Sequence, residues 1–102
     1  MLELRPICEN CACALPPDCA EARICSYECT FCRTCVESML MNVCPNCGGG
    51  FVRRPVRPAT DRRNGVSLAH QPATTMRKHK PVAVPAHHEF ATAVSAIAPA
   101  KR

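Results

Sequence analysis

The chain has no tryptophan, one tyrosine and three phenylalanines, too few large apolar side chains for a conventional core. A compact segment of about 50 residues buries too little apolar surface to stand by packing alone and needs covalent or metal cross-links. Also missing is an apolar stretch near Met1: Glu3, Arg5 and Pro6 interrupt the first residues, which argues against a standard secretory signal. No run approaches the ~18 apolar residues of a membrane-spanning helix. Residues 48–102 contain no cysteine. These absences point to a cytoplasmic chain with no membrane contact, cross-linked in its first half.

What the chain has instead is cysteine, ten residues of it between Cys8 and Cys47. In a reducing compartment, clustered thiols read as metal ligands rather than as disulfides. The series is Cys8-x2-Cys11, Cys13, Cys19, Cys25-x3-Cys29-x2-Cys32-x2-Cys35 and Cys44-x2-Cys47. Zinc takes four ligands in a tetrahedron, and two residues between cysteines let one tight turn supply two of them. In Cys44-Pro45-Asn46-Cys47-Gly48, proline sets the first φ of the turn. Glycine then tolerates a left-handed backbone, so that amides can point at the sulfurs. Cys8-Glu9-Asn10-Cys11 is the less specific pair, because Ala12 stands where Gly48 stands in the other. Cys13 and Cys19 fall outside the pairs and are expected to be spare thiols kept by packing or drift, the alternatives being a redox-sensitive pair or substitutes for Cys11. An iron–sulfur run C-x2-C-x2-C-x3-C-P is not met, because Cys29, Cys32 and Cys35 fill three positions but Met39 takes the fourth. The expected cofactor is Zn, two per chain, on eight cysteines.

Charge and composition change near Pro58. Residues 1–52 hold three arginines against six acids, net −3, whereas residues 53–102 hold ten Lys or Arg against Asp61 and Glu89, net +8. The expected organisation is a cysteine-rich zinc-binding module over 1–58 and a disordered, Pro/Ala-rich basic tail over 59–102. That tail has only Phe90 as an aromatic and little to bury. Its stretch from His87 to Ala98 is expected to be transiently helical at most. Inside the module, Leu2, Leu4 and Ile7 suggest an extended leading segment, and Leu15-Pro16-Pro17-Asp18 a loop. Thr34 and Glu37 form a capping-box pattern for a short helix from about Cys35 to Asn42, with Val36, Met39 and Leu40 on one face. Phe51-Val52 reads as a short strand.

Without Cys13 and Cys19 the spacing is C-x2-C-x13-C-x3-C-x2-C-x2-C-x8-C-x2-C, which resembles the RING-finger family. Cys29 stands where many RING domains carry histidine. The resemblance implies a small metal-stabilised α+β fold, a RING-like or treble-clef zinc module with cross-braced four-cysteine sites and one short helix. Site one would be Cys8, Cys11, Cys32 and Cys35, and site two Cys25, Cys29, Cys44 and Cys47. A cross-brace also suits the close spacing of Cys29, Cys32 and Cys35. The sequential pairing of Cys8, Cys11, Cys25 and Cys29, then Cys32, Cys35, Cys44 and Cys47, stays open on spacing. Ubiquitin-ligase activity is not implied: of the positions RING ligases use for their partner enzymes, only Pro45 matches.

A closer resemblance covers residues 1 to about 58. Leu2-Glu-Leu-Arg-Pro6, Leu15-Pro-Pro-Asp18, Ala22-Arg-Ile-Cys-Ser-Tyr-Glu-Cys-Thr-Phe-Cys32, Cys44-Pro-Asn-Cys-Gly-Gly49 and Val52-Arg-Arg-Pro55 are similar to the short bacterial cysteine-rich proteins grouped as domain of unknown function 1272. It implies a bacterial, cytosolic protein with one small zinc-type domain, and supplies no activity.

Eight thiolates closing two sites leave no open coordination position, so neither an enzyme nor a small-molecule substrate is expected. Glu9, Glu28 and Glu37 read as solvated surface charges, and His70, His79, His87 and His88 as solvated tail residues. The expected function is a protein-interaction or adaptor module whose partner is another protein. The alternative is association with nucleic acid, Arg53, Arg54, Arg57, Arg62 and Arg63 gripping the phosphate backbone with help from Arg77-Lys78-His79-Lys80. No aromatics interleave with those cations, so base stacking is not expected.

Overall fold

The structure, a computed structural model, describes residues 1–102. Two short strands, β1 (Ala22–Ile24) and β2 (Thr30–Cys32), form an antiparallel hairpin with Arg23 opposite Phe31. A third, β3 (Val52–Arg53), pairs antiparallel with β1 and sets Ile24 opposite Val52, giving the order β2-β1-β3. This is the strand expected at Phe51-Val52, one residue later. The hairpin loop runs from Cys25 to Cys29, closed by Cys25 N donating to Cys29 O at 3.2 Å. Ile7 makes an isolated antiparallel bridge with Ala14, so the leading segment is extended only there, and Leu4 before it is left-handed at φ 57°.

From β2 the chain passes directly into α1 (Arg33–Cys35) and on into a π-helical turn over Val36–Leu40. The helix starts earlier than expected because its cap is Cys32, not Thr34. Cys32 is extended and its sulfur accepts from Cys35 N at 3.4 Å. The sulfur thus satisfies a free amide of the first turn. Met41 and Asn42, at φ 56° and 54°, then end the helix. Asparagine tolerates this conformation, and Asn42 Oδ1 accepts from Phe51 N at 2.9 Å, bringing β3 alongside.

Leu15, Ala22, Phe31, Val36 and Leu40 share one buried cluster with Cys8, Cys25, Cys29, Cys32, Cys35 and Cys44. Phe31 meets Phe51 edge to face at 5.5 Å. More than half of that cluster is thiol, so cohesion by apolar burial alone is modest.

Residues 59–102, expected from composition to be disordered, lie against the module. Thr74 N donates to Glu3 O at 2.9 Å, Lys80 N to Glu9 O at 2.7 Å and Val82 N to Asn10 Oδ1 at 2.9 Å. The reason is that main-chain hydrogen bonds, which a count of apolar side chains does not register, hold this strap down. Helix α2 (Val84–Ser95) begins with Pro85 in its first turn and rests on the π-helical turn. His87 is buried there, its Nε2 3.0 Å from Leu40 O. Of the four histidines expected to be solvated, His87 is therefore core, His79 Nε2 lies 3.1 Å from Asn10 O and His70 Nδ1 lies 2.9 Å from Asp61. Asp61 organises its own loop, also accepting from Gly65 N at 2.9 Å and from Ser67 Oγ.

Candidate functional site

Two tight turns carry the paired cysteines. In the first, Ala12 N donates to Cys8 O at 3.0 Å and Cys11 N points at Cys8 Sγ at 3.5 Å. In the second, Gly48 N donates to Cys44 O at 2.8 Å and Gly49 N points at Cys47 Sγ at 3.4 Å. Ala12 and Gly48 both have left-handed backbones, at φ 63° and 79°. The alanine therefore makes the same turn as the glycine at a steric cost of about 1–2 kcal/mol.

Glu9 sets the first turn in place. Its N–H donates to Thr30 O at 2.9 Å, while its carboxylate accepts from Thr30 N at 2.6 Å and from Arg5 at 3.0 Å. It is 6% exposed, so the expectation that Glu9 is a solvated charge is corrected. The physical reason is that β2 lies at the edge of the sheet: no strand flanks its outer side to accept from Thr30 N, and the carboxylate supplies the acceptor. Glu37 does sit at the surface, paired with Arg33 at 2.9 Å, and half-buried Glu28 accepts from Glu3 N at 3.1 Å.

With the turn docked on β2, the sulfurs of Cys8, Cys11, Cys32 and Cys35 lie within 4.8 Å of one another, three of these residues buried and Cys11 exposed. Cys11 Sγ and Cys32 Sγ are 3.7 Å apart. A tetrahedron with Zn–S of about 2.3 Å has sulfur edges of about 3.8 Å, so this set fits zinc. The second cluster brings Cys25, Cys44 and Cys47 within the same 4.8 Å. Cys29 stands just outside that spacing, although its thiol neighbours those of Cys25 and Cys44. Two side-chain amides relate the clusters: Asn10 Nδ2 donates to Cys35 Sγ at 3.2 Å, and Asn46 Nδ2 donates to Cys29 Sγ at 3.4 Å. Cys29 thus faces the second turn as Cys35 faces the first. The clusters interleave along the chain, and the sequential grouping is not the one brought together. Cys13 and Cys19 belong to neither cluster. Cys13 faces Cys11 and Cys32 from outside, and Cys19 packs at the rim of the core near Arg54.

Burial pushes the thiols of Cys8, Cys29, Cys35 and Cys44 above their ordinary range, because a low-dielectric site disfavours the thiolate. At Cys11 burial acts the same way, but hydrogen bonds from the Cys13 amide and neighbouring thiols prevail and bring it down to about 7. A metal entering these clusters displaces protons from most of its ligands.

The five arginines expected to form one phosphate-binding cluster do not act together. Arg53, Arg62 and Arg63 are exposed. Arg54 is 2% exposed, its guanidinium donating to Arg5 O at 2.9 Å, Leu15 O at 3.1 Å and Pro16 O at 2.9 Å. It is structural and cannot reach a phosphate. Arg57 donates to Gln71 O at 2.6 Å and Leu2 O at 2.5 Å. Arg54 is drawn inward by the turn at Leu15-Pro16, whose carbonyls accept from it, and Arg57 by the carbonyls of the leading segment and the strap.

The profile of the family described as "Protein of unknown function (DUF1272)" matches residues 1–57, from the leading segment through β3. The chain belongs to the DUF1272 family. It is also similar to an uncharacterised protein of Rhizobium meliloti (strain 1021), 54% identical over 81 residues that cover 79% of this chain and 89% of the relative. No solved structure matches the chain. No helix is long and apolar enough to cross a membrane. For this DUF1272 chain, sequence reasoning missed Glu9, Arg54 and the two asparagines as site-forming residues. The last had a signal, since Cys-x-Asn-Cys occurs in both turns.

Proposed function

We propose that the chain is a small cytoplasmic protein-interaction module, RING-like or treble-clef in type, held together by two structural zinc ions and without catalytic chemistry. The closure of its thiol sets supports this reading most. Cys8, Cys11, Cys32 and Cys35 supply four sulfurs, and Cys25, Cys44 and Cys47, with Cys29 beside them, supply four more. Four thiolates complete the coordination of zinc and leave no position for water or substrate. The ions then act through folding, each contributing on the order of 10 kcal/mol.

Such a scaffold offers a partner its surface. Tyr27, in the hairpin loop, is 74% exposed, and Val52 on the edge strand β3 is 66% exposed. Tyrosine is enriched at protein interfaces, and an edge strand accepts a further strand. Nucleic-acid association has less to support it, since Arg54 and Arg57 are committed to carbonyls.

Metal analysis of the purified full chain is expected to find two zinc ions. A photo-crosslinking residue in place of Tyr27 is expected to trap a defined protein in the native cells, and one in place of exposed Val66 to trap none. Adducts at neither position, from a protein that runs as a clean monomer, would count against the reading.

A further inference from the structure

The two clusters differ in one respect that coordination does not require: a fifth thiol stands beside the first. Cys13 follows Cys11 by two residues, and its carbonyl accepts from Cys8 N at 3.0 Å, which fixes the backbone of Cys13 against the turn. Both Cys11 and Cys13 are exposed, and the Cys13 thiol faces those of Cys11 and Cys32. Ala12 between them has a left-handed φ of 63°, so the chain bends rather than extends there. Residues two apart have Cα atoms within about 7 Å even when extended, close to the upper end of what a disulfide spans, and a bend shortens that. The second turn has no counterpart, because Gly48, Gly49 and Gly50 follow Cys47.

We propose that Cys11 and Cys13 are an oxidation site, at which a peroxide converts the two thiols to a disulfide and thereby empties the first metal site while the second stays loaded. The inference rests on the reading of both clusters as zinc sites. The Cys11 thiolate attacks one peroxide oxygen; the O–O bond breaks, and Cys11 becomes a sulfenic acid as hydroxide leaves. The Cys13 sulfur then attacks the Cys11 sulfur. The S–S bond forms, the S–O bond breaks, and the departing hydroxide takes up the proton Cys13 loses. In sum, one thiolate, one thiol and hydrogen peroxide give one disulfide, one water and one hydroxide, with sulfur oxidised and peroxide oxygen reduced. Zinc is a spectator to the electrons. It loses Cys11 as a ligand and leaves a site reduced to Cys8, Cys32 and Cys35. Exposure suits the pair to this chemistry, whereas buried Cys8, Cys32 and Cys35 are shielded from the oxidant.

The test is limiting hydrogen peroxide added to the zinc-loaded full chain, followed by native mass spectrometry and by disulfide mapping with differential alkylation. The expected first event is loss of one zinc, giving a one-zinc species two hydrogens lighter than the reduced one-zinc chain, with Cys11 and Cys13 joined. Cys13→Ser is expected to bind both zinc ions and to slow that first loss by about tenfold, as removal of a resolving thiol should. Cys19→Ser is expected to behave as the unmodified chain. Simultaneous loss of both ions, a first disulfide that excludes Cys11 or Cys13, or a Cys13→Ser variant that loses zinc at the original rate would each overturn the inference. Metal counted before oxidation keeps the outcomes apart: a chain without two zinc ions at the start contradicts the zinc reading, not the thiol pair.

Discussion

Asn10 and Asn46 hold equivalent places in the two cysteine turns, each giving its side-chain amide to a sulfur across the cluster, at 3.2 Å to Cys35 and 3.4 Å to Cys29. Such donors hold a thiolate in orientation and temper its charge, as hydrogen-bonding partners around a metal commonly do. On the proposed reading, the equivalence makes Cys29 the fourth sulfur of the second site.

Cys29→Ala is therefore expected to cost the second metal, leaving the first site with reduced occupancy because the module shares one core. Elemental analysis beside circular dichroism checks this, with Cys19→Ala retaining full metal and fold. Full zinc content in Cys29→Ala would show that another group completes the site.

Glu9 is expected to matter far more than its neighbours in charge. Glu9→Ala removes the acceptor of Thr30 N and the nearer of the two carboxylates paired with Arg5 in a nearly closed environment, a loss of about 3 kcal/mol. Glu37→Ala removes only an exposed pair with Arg33 and should cost less than about 0.5 kcal/mol. Denaturant titrations of both zinc-loaded variants decide between these values.

Ala12→Gly should stabilise the chain by about 1 kcal/mol, since glycine relieves the left-handed penalty at φ 63° at some cost in unfolded-state entropy. Gly48→Ala should destabilise it by at least as much, because Gly48 has φ 79° and the Phe90 ring stands 3.4 Å from where a Cβ would sit. Thermal melts at fixed zinc concentration measure both, and a neutral Gly48→Ala would contradict the geometry.

Acid should strip the metal. Buried Cys44 is raised above its ordinary value of 9.0, so protons compete strongly for it and zinc affinity falls as pH falls. A chromophoric chelator follows the release. Zinc release that does not respond to pH would exclude thiolate ligation.

Arg54→Ala is expected to leave the carbonyls of Arg5 and Leu15 without donors and Pro16 O with only the Cys19 amide, at a cost of about 3 kcal/mol. Any binding to nucleic acid should be unchanged by it under conditions where the variant is folded, and weakened instead by Arg62→Ala with Arg63→Ala. A filter-binding salt titration compares them.

The cysteine clusters, the helix after Cys35 and the strand after Gly50 were legible because each depends on local chemistry: turn residues, capping and short-range periodicity. The helix began earlier than the capping box indicated because a cysteine did the capping, a role that propensity does not assign to it. Glu9 and Arg54 were not legible as structural residues. Their partners are main-chain groups 21 to 49 residues away, and nothing in a charged side chain announces that it will meet a carbonyl or an amide. The strap over the module was missed for the same reason: Lys80 N finds Glu9 O through the backbone.

The interleaving of the two cysteine sets has a consequence for how this chain can change. The shortest segment holding all of Cys8, Cys11, Cys32 and Cys35 also carries Cys25 and Cys29, yet leaves Cys44 and Cys47 behind. No cut yields two half-sized working units, and a longer hairpin between Cys25 and Cys35 would strain both centres together. The helix α2 and its strap lie beyond Cys47, outside the interleaved stretch.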